Sequence, residues 1–296
     1  MDQESFFQRG KSNNKYWFGI SINLLFIVFE VICGVFAGSL ALVTDAIHNL
    51  GDVLGLVIAF VAVILIKRKP TKHHTYGFYN TTILAAFTNS FILVASLAIV
   101  IWEAFLRLMN PEDHVNGWIV VIVALTGVVI NGLTAYIFHR GSKRDLNEKA
   151  NYWHFFADAL ISLCVVFAGF IINFTNWVIL DPLVSIFAAV FILFESWRVL
   201  CRAFSLVTNG VPDNISENEV EKYLLSFPEI EKINDVHIWA LSTTEVAISA
   251  HLQCNRPADY MKILDDATDG LRKKFDIDHV TLQLETSDKK HKESKI

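Results

Sequence analysis

Residues 40–66 read LALVTDAIHNLGDVLGLVIAFVAVILI, and the reading of that run decides the fold. A helix rises about 1.5 Å per residue, and a bilayer core of about 30 Å takes about 20 apolar residues to cross. The run is long enough, yet it carries Asp45, His48 and Asp52 in its first half. An acid at the centre of a membrane span costs about 2.5–3.5 kcal/mol even on lenient insertion scales, so each such residue calls for either a packing partner or an ion.

Working outward, five more apolar runs have the length of a span: Tyr16–Ala37, Thr82–Leu108, Trp118–Phe138, Tyr152–Phe174 and Trp177–Trp197. The last two are nearly contiguous and predict a tight helical hairpin. The loops orient the spans. Arg9, Lys11 and Lys15 precede the first; Lys67, Arg68, Lys69 and Lys72 follow the second; Arg140, Lys143, Arg144 and Lys149 follow the fourth; Arg198 and Arg202 leave the sixth. The alternate loops, around Gly38, Pro111–Asn116 and Asn176, hold no Lys or Arg. Positive loops stay inside, so both termini are expected in the cytoplasm.

Composition divides the chain in the same way. Apolar residues make up 53% of the 296, charged residues 19%, and the mean hydropathy is +0.41. Residues 1–204 hold 14 Lys/Arg and 13 Asp/Glu, whereas residues 205–296 hold 11 and 17. The first part reads as membrane and the last as a water-soluble acidic domain. An acidic domain disfavours nucleic-acid binding, which needs a basic face. Cys33, Cys164, Cys201 and Cys254 are scattered and form no C-x-x-C, so no disulfide framework is expected. No secretory signal peptide is read in the polar first fifteen residues.

The expected organisation is an N-terminal cytoplasmic arm (1–15), a six-helix membrane domain (16–204), a small cytoplasmic α+β domain (205–286) and a disordered tail (287–296). Within the soluble part, VPDNISENEVEKYLLSF predicts a helix with Ser216 as N-cap and Glu219 completing a capping box. INDVHIWAL and EVAISAHLQC read as strands around an STT turn, DYMKILDDATDGLRKKF as an amphipathic helix, and DHVTLQLE as a last strand. The order αββαβ is ferredoxin-like.

The second run repeats itself in the fifth. TDAIHNLGD contains His48-x-x-x-Asp52, and YWHFFAD contains His154-x-x-x-Asp158. Spacing i, i+4 puts both side chains of a pair on one helix face. The two helices run antiparallel at matching depth, so the faces can offer two imidazoles and two carboxylates to one point. A single intramembrane His or Asp is often a satisfied packing residue; two such pairs are much harder to explain that way. Tetrahedral N/O coordination suits zinc-type ions. Two Asp anions with two neutral His carry −2, which one divalent cation cancels. Protons compete with the metal for the same atoms, and that competition couples an antiporter. Asp45, one turn before His48, reads as a helix-start, ion-entry or proton residue and not as a direct ligand. Asp181, before Pro182, reads as a cap, a pairing partner or an exit-path residue. Asn23, Glu30, Asn89 and Asn131 read as interhelical hydrogen-bonding groups, and His73 and His74, after the basic loop, are accessory candidates only, with a surface role favoured over an interfacial metal site. A membrane metal sensor or scaffold that binds without transporting is the competing reading. A metallohydrolase needs an open metal position and a general base, which four ligands do not leave, so an enzyme is not expected.

The segments SLALVTDAIHNLGDVLGL, TYGFYNTTILAAFTNS, HFFADALIS, Asp181–Pro182, DVHIWALSTTEVAISAHL and HVTLQLE together resemble the cation diffusion facilitator family, in its zinc-transporting branch. The resemblance runs from about Tyr16 to Glu285. It implies a homodimer, joined through its cytoplasmic domain, that exchanges cytosolic Zn²⁺ for protons, with Cd²⁺, Co²⁺ and Fe²⁺ as alternative cargo; of a bacterial inner membrane and an organelle, the short loops and the lack of targeting signals favour the former. His48, Asp52, His154 and Asp158 match the family's transport ligands. It also implies regulatory metal binding in the soluble domain, with His237, His251, Asp278, His279 and Glu285 as candidates. The chain departs from the family where relatives carry a charged pair: here Asn80 and Thr82 stand. It also lacks the His-rich tract some relatives have after the fourth helix, with only HRGSKRDLNEKA in its place.

Overall fold

The computed structural model describes residues 13–110, 114–139, 146–255 and 260–286. Six long helices come first: α1 (Asn13–Ala37), α2 (Leu40–Ile66), α3 (Thr81–Met109), α4 (Gly117–His139), α5 (Leu146–Thr175) and α6 (Leu180–Val207). Then come α7 (Glu217–Leu224), β1 (Ile230–Ala240), β2 (Val246–Cys254), α8 (Tyr260–Phe275) and β3 (His279–Thr286). Among the described residues five helices are long and apolar enough to cross a bilayer, and Leu24–Ala37 of α1 is a shorter apolar stretch. Most of the N-terminal arm, part of the loop after α4 and the 287–296 tail lie outside the described residues.

Contacts divide the chain into two units, one within 1–57 and 89–197 and the other within 58–88 and 198–296. The first is the helical bundle. Its interior mixes Ala and Val with larger aliphatic side chains: Ala37, Ala41, Leu42, Val120, Val121, Ala124, Val165 and Val166 belong to one cluster, and Leu40, Leu93, Leu97, Ile161, Ala188 and Ala189 to another. Large apolar side chains such as Phe36, Ile99, Trp102 and Phe174 point outward. Apolar side chains on the outside suit lipid, and the small residues inside let helix backbones approach closely. Gly38, with φ +68°, makes the break between α1 and α2, and a side chain there would strike the His114 carbonyl oxygen. Between α5 and α6, Asn176 takes the left-handed conformation (φ 52°) while its N–H still donates to the Ile172 carbonyl at 2.8 Å, a helix stop that Asn tolerates. This is the expected hairpin.

The sixth helix differs from its sequence reading at both ends. Trp177–Ile179 form a turn, and the helix starts at Leu180 with Pro182 in its first turn, where a missing N–H costs nothing. It continues ten residues past Trp197, because Arg198 and Arg202 end the apolar run without breaking a helix. Its end comes where the Gly210 N–H turns back to the Ser205 carbonyl at 2.7 Å.

In the second unit the sheet order is β1-β2-β3, with β1–β2 antiparallel and β2–β3 parallel. The parallel step needs a crossover, which α8 supplies. Val220 and Leu224 of α7 and Ile263, Ala267 and Leu271 of α8 pack with Ile248, Ala250, Leu252 and Cys254 of β2. The capping box at α7 is not formed. Ser216 is the N-cap, but its side chain makes no cap hydrogen bond, and the first turn closes on its backbone carbonyl instead. The STT turn is closed by Ser242, whose hydroxyl accepts from the Thr244 and Glu245 amides at 3.1 and 2.9 Å.

Candidate metal centre

Three pairs of residues register α2 against α5. His48 Nε2 lies 3.3 Å from Asp158 Oδ1, and His154 Nε2 lies 3.1 Å from Asp52 Oδ2. One turn deeper, Ser162 Oγ donates to Asp45 Oδ2 at 3.0 Å. Partners that ascend on one helix descend on the other, so the helices are antiparallel and each i, i+4 pair faces its mirror. Within helices the contacts are 3.7 Å for His48–Asp52 and 3.5 Å for His154–Asp158. The four residues therefore alternate His, Asp, His, Asp around a closed ring, with one ligand atom from each inside a 4.8 Å sphere of mutual distance.

Those distances fit a tetrahedral ion. With metal–ligand bonds of about 2.0–2.1 Å, the edge of the tetrahedron is about 3.3–3.4 Å. The four contacts, 3.1–3.7 Å, bracket that edge. The same geometry is costly without a cation. Two carboxylate charges within 4.8 Å of each other repel by roughly 3.5 kcal/mol or more at an effective dielectric of about 20. The ring is lopsided in its access. His48 and Asp158 are buried, whereas the side chains of Asp52 and His154 are each 37% exposed.

The surroundings fix the phase of α2. Asp181 does not cap its own helix. Its carboxylate reaches the start of α2, accepting from Ser39 Oγ at 2.5 Å, Leu40 N at 2.7 Å and Ala41 N at 3.4 Å. An anion there satisfies orphan amides and complements the helix dipole. At Gly55, α2 passes so close to α3 that a side chain would collide with Asn89. Asn49 Nδ2 donates to Glu30 Oε2 at 3.4 Å, which ties α1 to α2. Near the bundle's far end Arg107 pairs with Glu103 at 3.5 Å and also donates to the Gly38 carbonyl at 2.6 Å.

The second unit is different. His251 Nδ1 meets Glu285 Oε1 at 3.0 Å across β2 and β3, and Gln283 Nε2 donates to the same oxygen at 3.1 Å. The other sequence candidates are elsewhere. His237 pairs with the nearby Asp235 at 3.2 Å, Asp278 accepts from the Val246 amide at 3.2 Å, and the His279 ring meets Tyr76 edge-on at 5.3 Å. His73 is exposed, and His74 stacks on Phe78 at 4.8 Å. Among the described residues the one group of three or more able to hold a metal is His48, Asp52, His154 and Asp158. Thr82, one of the two positions read as departing from the family pattern, accepts at Oγ1 from the Thr243 amide at 3.1 Å, a neutral contact. The sequence reading of Glu30 as an interhelical hydrogen-bonding group and of Asp181 as a pairing partner holds, but it did not identify their partners Asn49 and Ser39, nor the Asp45–Ser162 bond. The trace of them was the presence of acids in apolar spans.

Comparison with known proteins places these features. The chain matches the cation efflux transmembrane domain over residues 16–207 and the cation efflux protein cytoplasmic domain over residues 212–287. It is 34% identical to the metal cation efflux system protein CzcD of Cupriavidus metallidurans, over 88% of this chain and 82% of the relative. It is 35% identical to the zinc transporter ZitB of Pectobacterium atrosepticum, over 89% of this chain and 82% of the relative. The zinc transporter ZitB of Escherichia coli is 33% identical over 91% of this chain and 86% of its own length. With both of its domains matched and these relatives aligned along most of their length, this multi-pass membrane protein belongs to the cation efflux family of metal transporters.

Proposed function

We propose that the protein exports Zn²⁺ from the cytosol in exchange for protons, with His48, Asp52, His154 and Asp158 as the transport ligands. The observation that carries this reading is the alternating His–Asp ring of α2 and α5, with its contacts of 3.1–3.7 Å. Imidazole and carboxylate together suit zinc among the abundant divalent ions, and two of the relatives are named as zinc transporters. Two anionic and two neutral ligands neutralise one dication, so the loaded site carries no net charge in low dielectric. The emptied site keeps two facing carboxylates and takes up protons in the metal's place. Asp52 and His154, the more open half of the ring, lie toward the chain ends of α2 and α5 that the basic loops put on the cytoplasmic side. The arrangement thus fits a state that loads metal from the cytosol. A homodimer through the cytoplasmic domain and a bacterial inner-membrane location complete the reading.

Purified protein in liposomes tests it. A pH difference is imposed at zero membrane potential, and zinc and internal pH are followed together. Zinc is expected to move against protons, and flux to fall as the loading side is acidified through about pH 6.5, where free imidazole titrates and stops binding metal. Zinc moving without an opposing proton flow would leave a metal-selective uniporter. Zinc bound without flux would leave a membrane sensor.

A further inference from the structure

The turn between α1 and α2 is held from three sides. Asp181, at the start of α6, accepts through Oδ1 from Ser39 Oγ at 2.5 Å and Ala41 N at 3.4 Å, and through Oδ2 from Leu40 N at 2.7 Å. Arg107, near the end of α3, donates to the Gly38 carbonyl at 2.6 Å. The Asn116 amide, just before α4, donates to the Ala37 carbonyl at 2.9 Å. α2 does not need these bonds in order to start. Ser39 Oγ accepts from the Leu42 amide at 3.3 Å, which is the helix's own N-cap bond. The contacts from α6 and α3 therefore join helices rather than build one. They also cover Asp181, a carboxylate that is only 1% exposed although it stands at the end of its helix.

These contacts lie at the end of the bundle opposite the basic loops. His48 follows Ser39 by nine residues, about 13–14 Å along α2. On α2 the buried His48 precedes the part-exposed Asp52, and on α5 the buried Asp158 follows the part-exposed His154. The closed half of the ring thus faces the joined end.

We infer that Asp181 and Arg107 are positioning residues that form an outer latch: they hold the α1–α2 turn, keep the far side of the ring shut, and release the turn when the pathway opens to that side. An ion that enters past Asp52 and leaves at the opposite end needs the far ends of the helices to part. Hydrogen bonds at the edge of the bilayer can part, because each group exchanges its protein partner for water. When the turn leaves, Glu103, one turn away at 3.5 Å, still neutralises Arg107. The α4–α5 contact is no such joint. Gly117 and Gly169 bring those backbones so close that a side chain on either would collide. Bonded and covered, or parted and hydrated, the turn has the two arrangements a switch requires. The role in transport rests on the export reading above; the closure rests on the geometry.

Thiol labelling tests the closure by itself. Ala41→Cys, on the α2 face of Asp45, His48 and Asp52, is the reporter in full-length protein whose four native cysteines are replaced by alanine. Right-side-out membrane vesicles, free of zinc, receive a cationic, membrane-impermeant thiol reagent. The reporter is expected to react slowly, and Asp181→Asn to speed it by about tenfold, the weight of a lost capping contact. Arg107→Gln should speed it too, and carries the test if Asp181→Asn misfolds. Wild-type labelling rates in the folded variants would overturn the latch. Zinc flux in inverted vesicles separates a latch from mere support. With fewer molecules facing the loading side, Asp181→Asn should raise half-saturating zinc about two- to tenfold, while maximal flux falls by less than about threefold. A fall in maximal flux at unchanged half-saturation would overturn the role in transport. If the wild type moves no zinc, the export reading fails, and the labelling rates still decide whether these contacts close the far end.

Discussion

Histidine meets carboxylate in both units of this molecule, with different outcomes. In the bundle, two helices each present a His and an Asp four residues apart, and the four converge in a ring. On the sheet, His251 and Glu285 come from neighbouring strands and meet as a pair, with Gln283 already bonded to the same carboxylate oxygen. The difference is one of periodicity. A helix face returns every three to four residues, so one helix supplies two adjacent ligands and two helices supply four. Same-face neighbours along a strand are about 6.5–7 Å apart, so two strands readily make a pair and need a further element to make a closed site. The bundle can complete a metal site within one chain. The described part of the sheet brings one His and one carboxylate together.

The sharpest way to break that contrast is to remove one carboxylate from the ring. Asp158→Ala strips both His48 and His154 of a partner and leaves a loaded site one charge short of neutral. Zinc flux in proteoliposomes should fall by at least about a hundredfold, because an uncompensated charge in low dielectric costs several kcal/mol. Flux at the wild-type rate from a folded variant would remove the ring from the pathway.

The next effect is structural. Asp181→Ala removes three acceptor contacts from the start of α2. A lost N-cap costs about 1–2 kcal/mol, so thermal unfolding in detergent should shift downward while zinc still binds. A variant as stable as wild type would mean that the cap does not fix α2.

The same experiments on the sheet should give much less. His251→Ala or Glu285→Gln leaves the ring untouched, and zinc flux at saturating zinc should change by less than about threefold, since removing a partly exposed pair is worth up to about 1 kcal/mol. A loss as large as that of Asp158→Ala would make the sheet pair part of the transport machinery.

The smallest expected effect is at Glu245, beside the β1–β2 turn. Burial, and then the neighbouring Asp278 charge, hold its carboxyl above the ordinary value. The folded state thus binds this proton more tightly than the unfolded chain does. Its contribution to stability is full below the ordinary carboxylate range and declines as pH rises through the folded value. Glu245→Gln should remove that decline, read as a slightly flatter stability–pH curve between mildly acidic and neutral pH. An unchanged curve would mean that folding does not raise the Glu245 carboxyl above its ordinary value.

Much of this was legible in the sequence, for physical reasons that differ by feature. Apolar runs of span length and alternating basic loops are long, redundant patterns, so the helices and the αββαβ order could be read directly. The two H-x-x-x-D pairs were legible because a charged residue in an apolar span stands out and helical spacing fixes its face. The end of α6 was not, since Arg198 changes polarity without changing helix propensity. The partners of Asp181 and Glu30 were not either. Asp181 bonds Ser39 across 142 positions, and Glu30 bonds Asn49 from another helix; local pattern carries no information about which helices touch. Ser216 had the residues of a capping box, but the turn closed on backbone instead.

The central claim is that one zinc ion sits among two imidazoles and two carboxylates inside the bundle. X-ray absorption at the zinc edge tests it most directly, on full-length protein loaded with one equivalent of zinc and carrying His251→Ala to silence the sheet pair. The expected result is a four-coordinate shell of nitrogen and oxygen at about 2.0–2.1 Å, disrupted when Asp158→Ala is added. A shell that contains sulfur, or one that Asp158→Ala leaves unchanged, would contradict the assignment.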